Sequence, residues 1–162
     1  EKAFYNAVPN VVALRPGYFM ENFLIQQEDI LNKGYFSFPY SEDHDIPLIS
    51  TDDIGDAAAN YLKSDNWGGQ WIKKLMGTEN LTMPEAAQIL SSCLQKKISY
   101  KKVSLMEIQE QFDAMNASKA TQQEMVELFK TLGDPNGPYG TPRTFDAVTP
   151  TNFERFVRTK MA

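Results

Sequence analysis

The chain has 162 residues, of which 42% are hydrophobic, and a formal net charge of −5. This length is enough to bury the core of one domain, and the acidic balance excludes the basic surface of a protein that binds a nucleic-acid backbone directly. No apolar run approaches the roughly 20 residues that span a bilayer. One cysteine, Cys93, and one histidine, His44, exclude a disulfide scaffold and a Cys/His-rich metal site. We therefore expect a globular cytoplasmic protein with no membrane and no direct nucleic-acid partner.

The first residues have the pattern of a helix end. Residues 1–7 have helical composition without a capping residue in front of them, and a helix of two turns is marginal on its own. We expect the last turns of a helix that begins upstream. The alternative is a frayed N-terminal helix of a complete protein.

An apolar, β-branched run over residues 10–15 predicts a strand buried on both faces, as in a parallel sheet covered by helices. Pro16 and Gly17 end this strand. A helical period follows over residues 18–32, and Gly34 is placed to end that helix. The elements predicted next are strands at 35–38, 46–49 and 70–76 and a helix that begins at Ser50.

Two capping boxes mark helix starts in the second half of the chain. Residues 82–85 and 104–107 each begin with a hydroxyl side chain and carry a glutamate three positions later. A short edge-like strand is predicted between them at 98–103, and further helices at 121–132 and from residue 149. Strands and helices alternate without repeats, which predicts a mixed class, and we expect α/β.

Four segments stand in order along the chain: residues 11–22 (VVALRPGYFMEN), 49–59 (ISTDDIGDAAA), 76–82 (MGTENLT) and 149–157 (TPTNFERFV). Together they resemble signatures of the NmrA-like atypical short-chain dehydrogenases/reductases. The resemblance implies that residues 1–162 form the C-terminal part of a Rossmann-like NAD(P)-binding fold, with the last sheet strands and a small mixed α/β substrate lobe. The family's phosphate-binding turn, Gly-x-x-Gly-x-x-Gly, does not occur in this sequence. We therefore expect the N-terminal dinucleotide-binding half to be absent.

The loop after the first strand is the candidate site, because ligands of open α/β sheets bind at the carboxyl ends of strands. A glycine lets a flat ring approach the backbone, an aromatic or thioether side chain can wall that ring, and an asparagine amide can bond a carboxamide. The alternatives are a plain strand-ending turn, core packing of the aromatic residues and a helix cap. No Tyr-x-x-x-Lys pair is recognisable, so the catalytic residues stay unknown. The resemblance places Pro16, Gly17, Phe19 and Asn22 at the cofactor and Tyr18 and Met20 at the substrate.

Other chemically reactive side chains favour structural roles. His44 lies in an acidic loop and is expected to be solvated. Asp52 and Asp53 follow two hydroxyl residues, as in the first turn of a helix whose dipole favours acids. Cys93 is expected in the core, and the lysines at 96, 97, 101 and 102 along an exposed edge.

The resemblance implies an NAD(P)H-dependent oxidoreductase of a small carbonyl or quinone-like substrate, with NADP(H) as the expected cofactor. This chain alone would then be inactive, since the cofactor needs the other half. An alternative within the family is a redox sensor that binds NAD(P) and regulates a protein partner without turnover. A third possibility is a stand-alone interaction domain.

Overall fold

A computed structural model describes residues 1–140 and 142–162, which form a mixed α/β arrangement. Seven strands are described: β1 (Val11–Pro16), β2 (Tyr18–Phe19), β3 (Tyr35–Phe38), β4 (Ile46–Ile49), β5 (Gln70–Leu75), β6 (Asn80–Leu81) and β7 (Ser99–Lys102). The α-helices are α1 (Lys2–Ala7), α2 (Asn22–Ile25), α3 (Thr51–Lys63), α4 (Met83–Leu94), α5 (Leu105–Ala114), α6 (Lys119–Leu132) and α7 (Phe153–Lys160). A π-helical turn spans Asp29–Lys33 and a 3₁₀ turn spans Phe145–Ala147.

The strands form three small sheets. β1 pairs in parallel with β5, β3 pairs in parallel with β7, and β4 lies between β2, which is parallel to it, and β6, which is antiparallel. Parallel pairing of β1 confirms part of the sequence prediction. The prediction that β1 is buried on both faces is wrong for the described residues, because most of the β1 side chains are half-buried. In this part of the chain β1 pairs with β5.

The chain changes sheets at Gly17. The Gly17 N–H still donates to the Leu75 carbonyl of β5 at 2.7 Å, whereas Tyr18 is already paired with Leu48 of β4. A Cβ atom at Gly17 would lie 2.3 Å from the Pro47 carbonyl oxygen. The absence of a side chain here is therefore a packing requirement between two backbones.

The helix predicted over residues 18–32 is wrong at its start. Tyr18 and Phe19 pair with β4, and the Met20 N–H donates to the Ile49 carbonyl at 2.9 Å. A strand partner 30 residues away thus takes the backbone groups that the helix would need, and only short helical pieces follow. Gly34 ends the last of them in the left-handed conformation, with φ of 74°, as predicted.

Local helix signals are confirmed. Both capping boxes form, with Thr82 and Glu85 at α4 and Ser104 and Glu107 at α5 exchanging side-chain and backbone hydrogen bonds. Helix α1 has no side-chain cap, as its composition predicts. Among the residues that the structure describes, no helix is both long and apolar enough to cross a membrane.

The core is aromatic and joins the two ends of the chain. The Phe23 ring packs against the rings of Phe36 and Phe153, with centroids 5.1 and 4.7 Å apart. Phe153, Phe156 and Val157 of α7 are buried. Because full burial of such a side chain is worth about 1.5–3 kcal/mol, α7 is an integral part of the core.

Candidate functional site

A cavity of about 830 Å³ lies beside the loop that follows β1. One wall is this loop and the start of α2, and β3 contributes Ser37 and Phe38. The opposite wall is the helical hairpin formed by α5 and α6, which we call the α5–α6 hairpin (residues 105–132). The cavity therefore lies at the carboxyl end of β1, where open α/β sheets bind ligands.

Four of the six predicted site residues line this cavity: Gly17, Tyr18, Phe19 and Asn22. The other two lie elsewhere. Pro16 is paired with Leu75 at the end of β1, and Met20 is 1% exposed within the hydrophobic core. The sequence left open whether Phe19 packs in the core. In the structure Met20 packs there, while Phe19 stays 39% exposed.

Gly17 contributes its backbone to the cavity wall. The position that a side chain would occupy is filled by the Pro47 carbonyl, so a ring cannot approach from that side. The sequence suggested a glycine here so that a flat ring could approach the backbone. In the structure, the glycine is needed because two strand backbones pack closely at this point.

Two tyrosines, Tyr18 and Tyr139, line the cavity. Tyr18 packs edge to face against Tyr40 and Tyr139, with centroids 5.8 and 6.5 Å apart. Burial raises the pKa of Tyr18. Burial also raises the pKa of Tyr139 to about 12. These phenols are therefore protonated at neutral pH and act as hydrogen-bond donors.

The α5–α6 hairpin presents two apolar stripes to the cavity. Their spacing is that of one helix face, and the sequence pattern already indicated most of these positions as apolar. What the sequence did not show is that the stripes face a cavity. The lining positions are Ile108, Gln111 and Phe112 on α5, Met115 directly after it, and Met125, Leu128, Phe129 and Leu132 on α6.

Gln122 ties the hairpin together from within. It is 1% exposed, and its amide nitrogen lies 2.8 Å from Asp113 Oδ1 and 2.9 Å from the Ala117 carbonyl oxygen. Lys119 reaches the same aspartate at 2.8 Å. This bonding within the hairpin lets α5 and α6 act as one unit over the cavity.

His44 fixes the end of the hairpin, and the expectation that it is solvated is wrong. Its side chain is buried, and Nε2 lies 3.2 Å from the Leu132 carbonyl oxygen at the end of α6. Because a carbonyl accepts hydrogen bonds, Nε2 carries the proton in this contact. The acidic sequence around His44 concealed this role, which depends on a residue 88 positions away.

Glu21 holds the cavity loop from its other side. Its carboxylate accepts hydrogen bonds from the Thr51 N–H at 3.0 Å and from the Ser50 hydroxyl at 3.3 Å. The acid thus sits at the N-terminus of α3, where the helix dipole favours negative charge. Ser50 also caps α3 as predicted, by accepting from the Asp52 N–H.

The remaining candidates have structural surroundings. Asp53 is buried and accepts two hydrogen bonds from Thr151. The sequence predicted only its favourable place in the first turn of the helix. Cys93 is half-buried beside the core, where burial raises the pKa of its thiol. The lysines at 96, 97, 101 and 102 are exposed, as expected. Within residues 1–140 and 142–162, no three Cys, His, Asp or Glu side chains are grouped as a metal site would require.

Known proteins share both sequence and fold with this chain. Festuclavine synthase I of Penicillium roqueforti is 37% identical over 107 residues, which are 63% of this chain and 36% of that protein. A nucleoside-diphosphate-sugar epimerase from Staphylococcus aureus superposes with a TM-score of 0.77 at 18% identity, over 97% of this chain and 55% of that one. The NADPH-dependent quinone oxidoreductase QOR2 from Escherichia coli gives a TM-score of 0.74 at 19% identity, over 96% and 57%.

These matches establish the fold as that of the Rossmann-like NAD(P)-binding proteins. The chain spans about a third of the first curated relative's length and just over half of the two solved structures. A model of the NmrA-like family matches residues 8–157, which is most of the sequence. This chain belongs to the NmrA-like family.

Proposed function

We propose that this chain forms the substrate side of an NAD(P)H-dependent oxidoreductase acting on a small carbonyl or quinone-like molecule. The observation that carries the proposal is the cavity at the carboxyl end of β1, walled by Gly17, Tyr18, Phe19 and Asn22. Related proteins named as a synthase of festuclavine and a quinone oxidoreductase support this class of reaction.

The residues around Phe19 suit the nicotinamide end of a dinucleotide. The Phe19 ring is 39% exposed and offers a flat surface for a second ring, while the Asn22 amide can both donate to and accept from a carboxamide. A bound nicotinamide would supply the hydride. The pyrophosphate would need a separate anchor such as a glycine-rich turn at a helix N-terminus, and we assign that role to a further part of the protein.

Tyr18 is suited to the substrate oxygen. When a carbonyl carbon receives a hydride, negative charge develops on the carbonyl oxygen, and a positioned hydrogen-bond donor stabilises it. The Tyr18 phenol lines the cavity and burial keeps it protonated. Its ring packs edge to face against the rings of Phe38, Tyr40 and Tyr139, which hold the phenol in place before the substrate binds.

The test is oxidation of NADPH and NADH by the protein expressed from its complete gene, with a panel of quinones and small carbonyls. We expect turnover, with NADPH preferred over NADH. Asn22→Ala should lower kcat by a larger factor than it weakens cofactor binding, because a nicotinamide ring that is out of position reacts slowly. Asn60→Ala, on the exposed face of α3 outside the cavity, is the matched control.

Two results would count against this function. Turnover that Asn22→Ala leaves unchanged would remove the cavity loop from the site. No oxidation of any acceptor, together with dinucleotide-dependent binding of a protein partner, would instead establish a sensor without turnover.

A further inference from the structure

We infer that the cavity selects an aromatic substrate that carries a positive charge. This inference rests on the proposed function, because it defines more closely the substrate of that same cavity. It comes from two features of the walls: their aromatic composition and the sign of their charged side chains.

The walls suit a large flat molecule. Four phenylalanine rings face the cavity: Phe19 and Phe38 on the strand side and Phe112 and Phe129 on the hairpin side. Faces of aromatic rings attract cations as well as other rings. A volume of about 830 Å³ is near the upper end of the range for small-molecule sites and leaves space for a substrate of several rings beside a nicotinamide.

The charged side chains at the cavity have one sign. Glu28 and Asp29 line it, and none of the described lining residues is a lysine, arginine or histidine. Asp29 is paired with Lys33 at 2.7 Å, which offsets part of its charge. Glu28 is exposed and forms no ion pair within 4 Å of a cation that the structure describes. Asp29 and, to a smaller extent, Glu28 raise the pKa of Lys33, so Lys33 is the one described cation near these acids, and the Glu28 carboxylate is the one open to a ligand.

The helix ends of the hairpin add no net charge to this wall. α5 and α6 are antiparallel, so the C-terminal end of each helix lies beside the N-terminal end of the other, and their opposite partial charges offset each other. The preference for a cation therefore comes from the carboxylates of Glu28 and Asp29 and from the aromatic rings.

The experiment measures binding of three anthraquinones that share one ring system and differ in charge. Their substituents at position 2 are a trimethylammoniomethyl group, a carboxamide and a sulfonate. Equilibrium dialysis against the purified protein at low salt is expected to rank the cation above the neutral compound and the anion last. We expect about a tenfold difference between cation and anion, because the exposed Glu28 carboxylate attracts one and repels the other. High salt is expected to reduce that ratio.

Two pairs of variants locate the effect. Glu28→Lys is expected to reverse the order of cation and anion and to leave the neutral compound unchanged. Asp65→Lys, an exposed site away from the cavity, makes the same change in net charge and is expected to keep the wild-type order. Gln111→Trp should block the cavity and weaken all three compounds, whereas Gln109→Trp on the same helix lies outside the lining and should weaken none.

The outcomes separate this inference from the proposed function. Equal binding of cation and anion, or an order that Glu28→Lys leaves intact, overturns the charge selection even if the protein oxidises NADPH. Binding that Gln111→Trp does not weaken places the probes outside the cavity and also overturns it. Charge-selective binding without NAD(P)H oxidation supports the inference and contradicts the oxidoreductase.

Discussion

The buried carboxylate of Asp53 accepts two hydrogen bonds from Thr151, one from the backbone N–H at 2.9 Å and one from the hydroxyl at 2.7 Å. The two residues are 98 positions apart. This pair joins the first turn of α3 to the segment that leads into α7, and it does so through both oxygens of one side chain.

Asp53→Ala is expected to lower the free energy of unfolding by about 3 kcal/mol, since hydrogen bonds to a charged group contribute about 1.5–3 kcal/mol each. Urea denaturation followed by circular dichroism measures this change. Asp52→Ala is the matched control, because Asp52 is exposed and its ion pair with Lys160 is worth at most about 1 kcal/mol. Equal losses in both variants would contradict the assigned role of Asp53.

Gly17→Ala is expected to cost about 1–3 kcal/mol of stability, because the new Cβ atom would meet the Pro47 carbonyl oxygen at 2.3 Å. Gly55→Ala is the control, and it is expected to change the stability in the opposite direction. Nothing lies within 4 Å of a Cβ atom at Gly55, which is inside α3, so alanine should stabilise the helix by about 0.5–1 kcal/mol. Thermal unfolding of both variants tests the pair, and a Gly17→Ala protein as stable as wild type would refute the packing argument.

The tyrosines around the cavity predict a loss of stability in alkali. Burial raises the pKa of Tyr139 to about 12 and raises the pKa of Tyr18 and Tyr40. A raised pKa in the folded state contributes stability that is fully present below the unfolded value of about 10 and is lost as the pH rises through the folded value. The free energy of unfolding should therefore fall from about pH 10 upwards.

Urea denaturation at successive pH values measures this fall, and phenolate absorbance at 295 nm reports ionisation in the folded and the urea-unfolded protein. Tyr139→Phe should make the fall less steep between about pH 10 and pH 12. A slope that this substitution leaves unchanged would show that Tyr139 titrates as it does in the unfolded chain.

Removing the His44 side chain should loosen the hairpin selectively. His44→Ala deletes the contact to the Leu132 carbonyl, so amide hydrogen exchange should become faster in α6 while α4 stays protected. Glu42→Ala, on the same loop and exposed, is the control and should leave both helices as they are. Uniformly faster exchange in α4 and α6 would indicate global destabilisation instead.

Local rules predicted what depends on neighbours in sequence. The capping boxes of α4 and α5 and the left-handed Gly34 depend on residues three to five positions apart, and all three are confirmed. The helix expected from residue 18 failed because β4 takes the backbone of Tyr18 and Met20, and no local pattern reveals such a partner.

In the candidate site, too, the sequence predicted local features and missed those that depend on remote residues. Helical spacing correctly marked Phe112 and Phe129 as facing inward, but spacing tells which face is apolar and not whether it meets a core or a cavity. The resemblance to the family drew attention to residues 16–22, and the structure separates them into lining residues and the buried Met20. The prediction that His44 is solvated was wrong because its hydrogen-bond partner, Leu132, is remote in sequence.

The hydrogen bonds of Glu21 have a consequence for how this protein could acquire new substrates. The segment from Gly17 to Asn22 is held by Pro47 on one side and by the start of α3 on the other, so a substitution there disturbs the scaffold as well as the pocket. The inner face of the α5–α6 hairpin is held mainly through Gln122 and His44, and positions such as Met115 and Leu128 remain well exposed. Changes of specificity by directed evolution are therefore expected to be better tolerated on the hairpin than in the segment from Gly17 to Asn22.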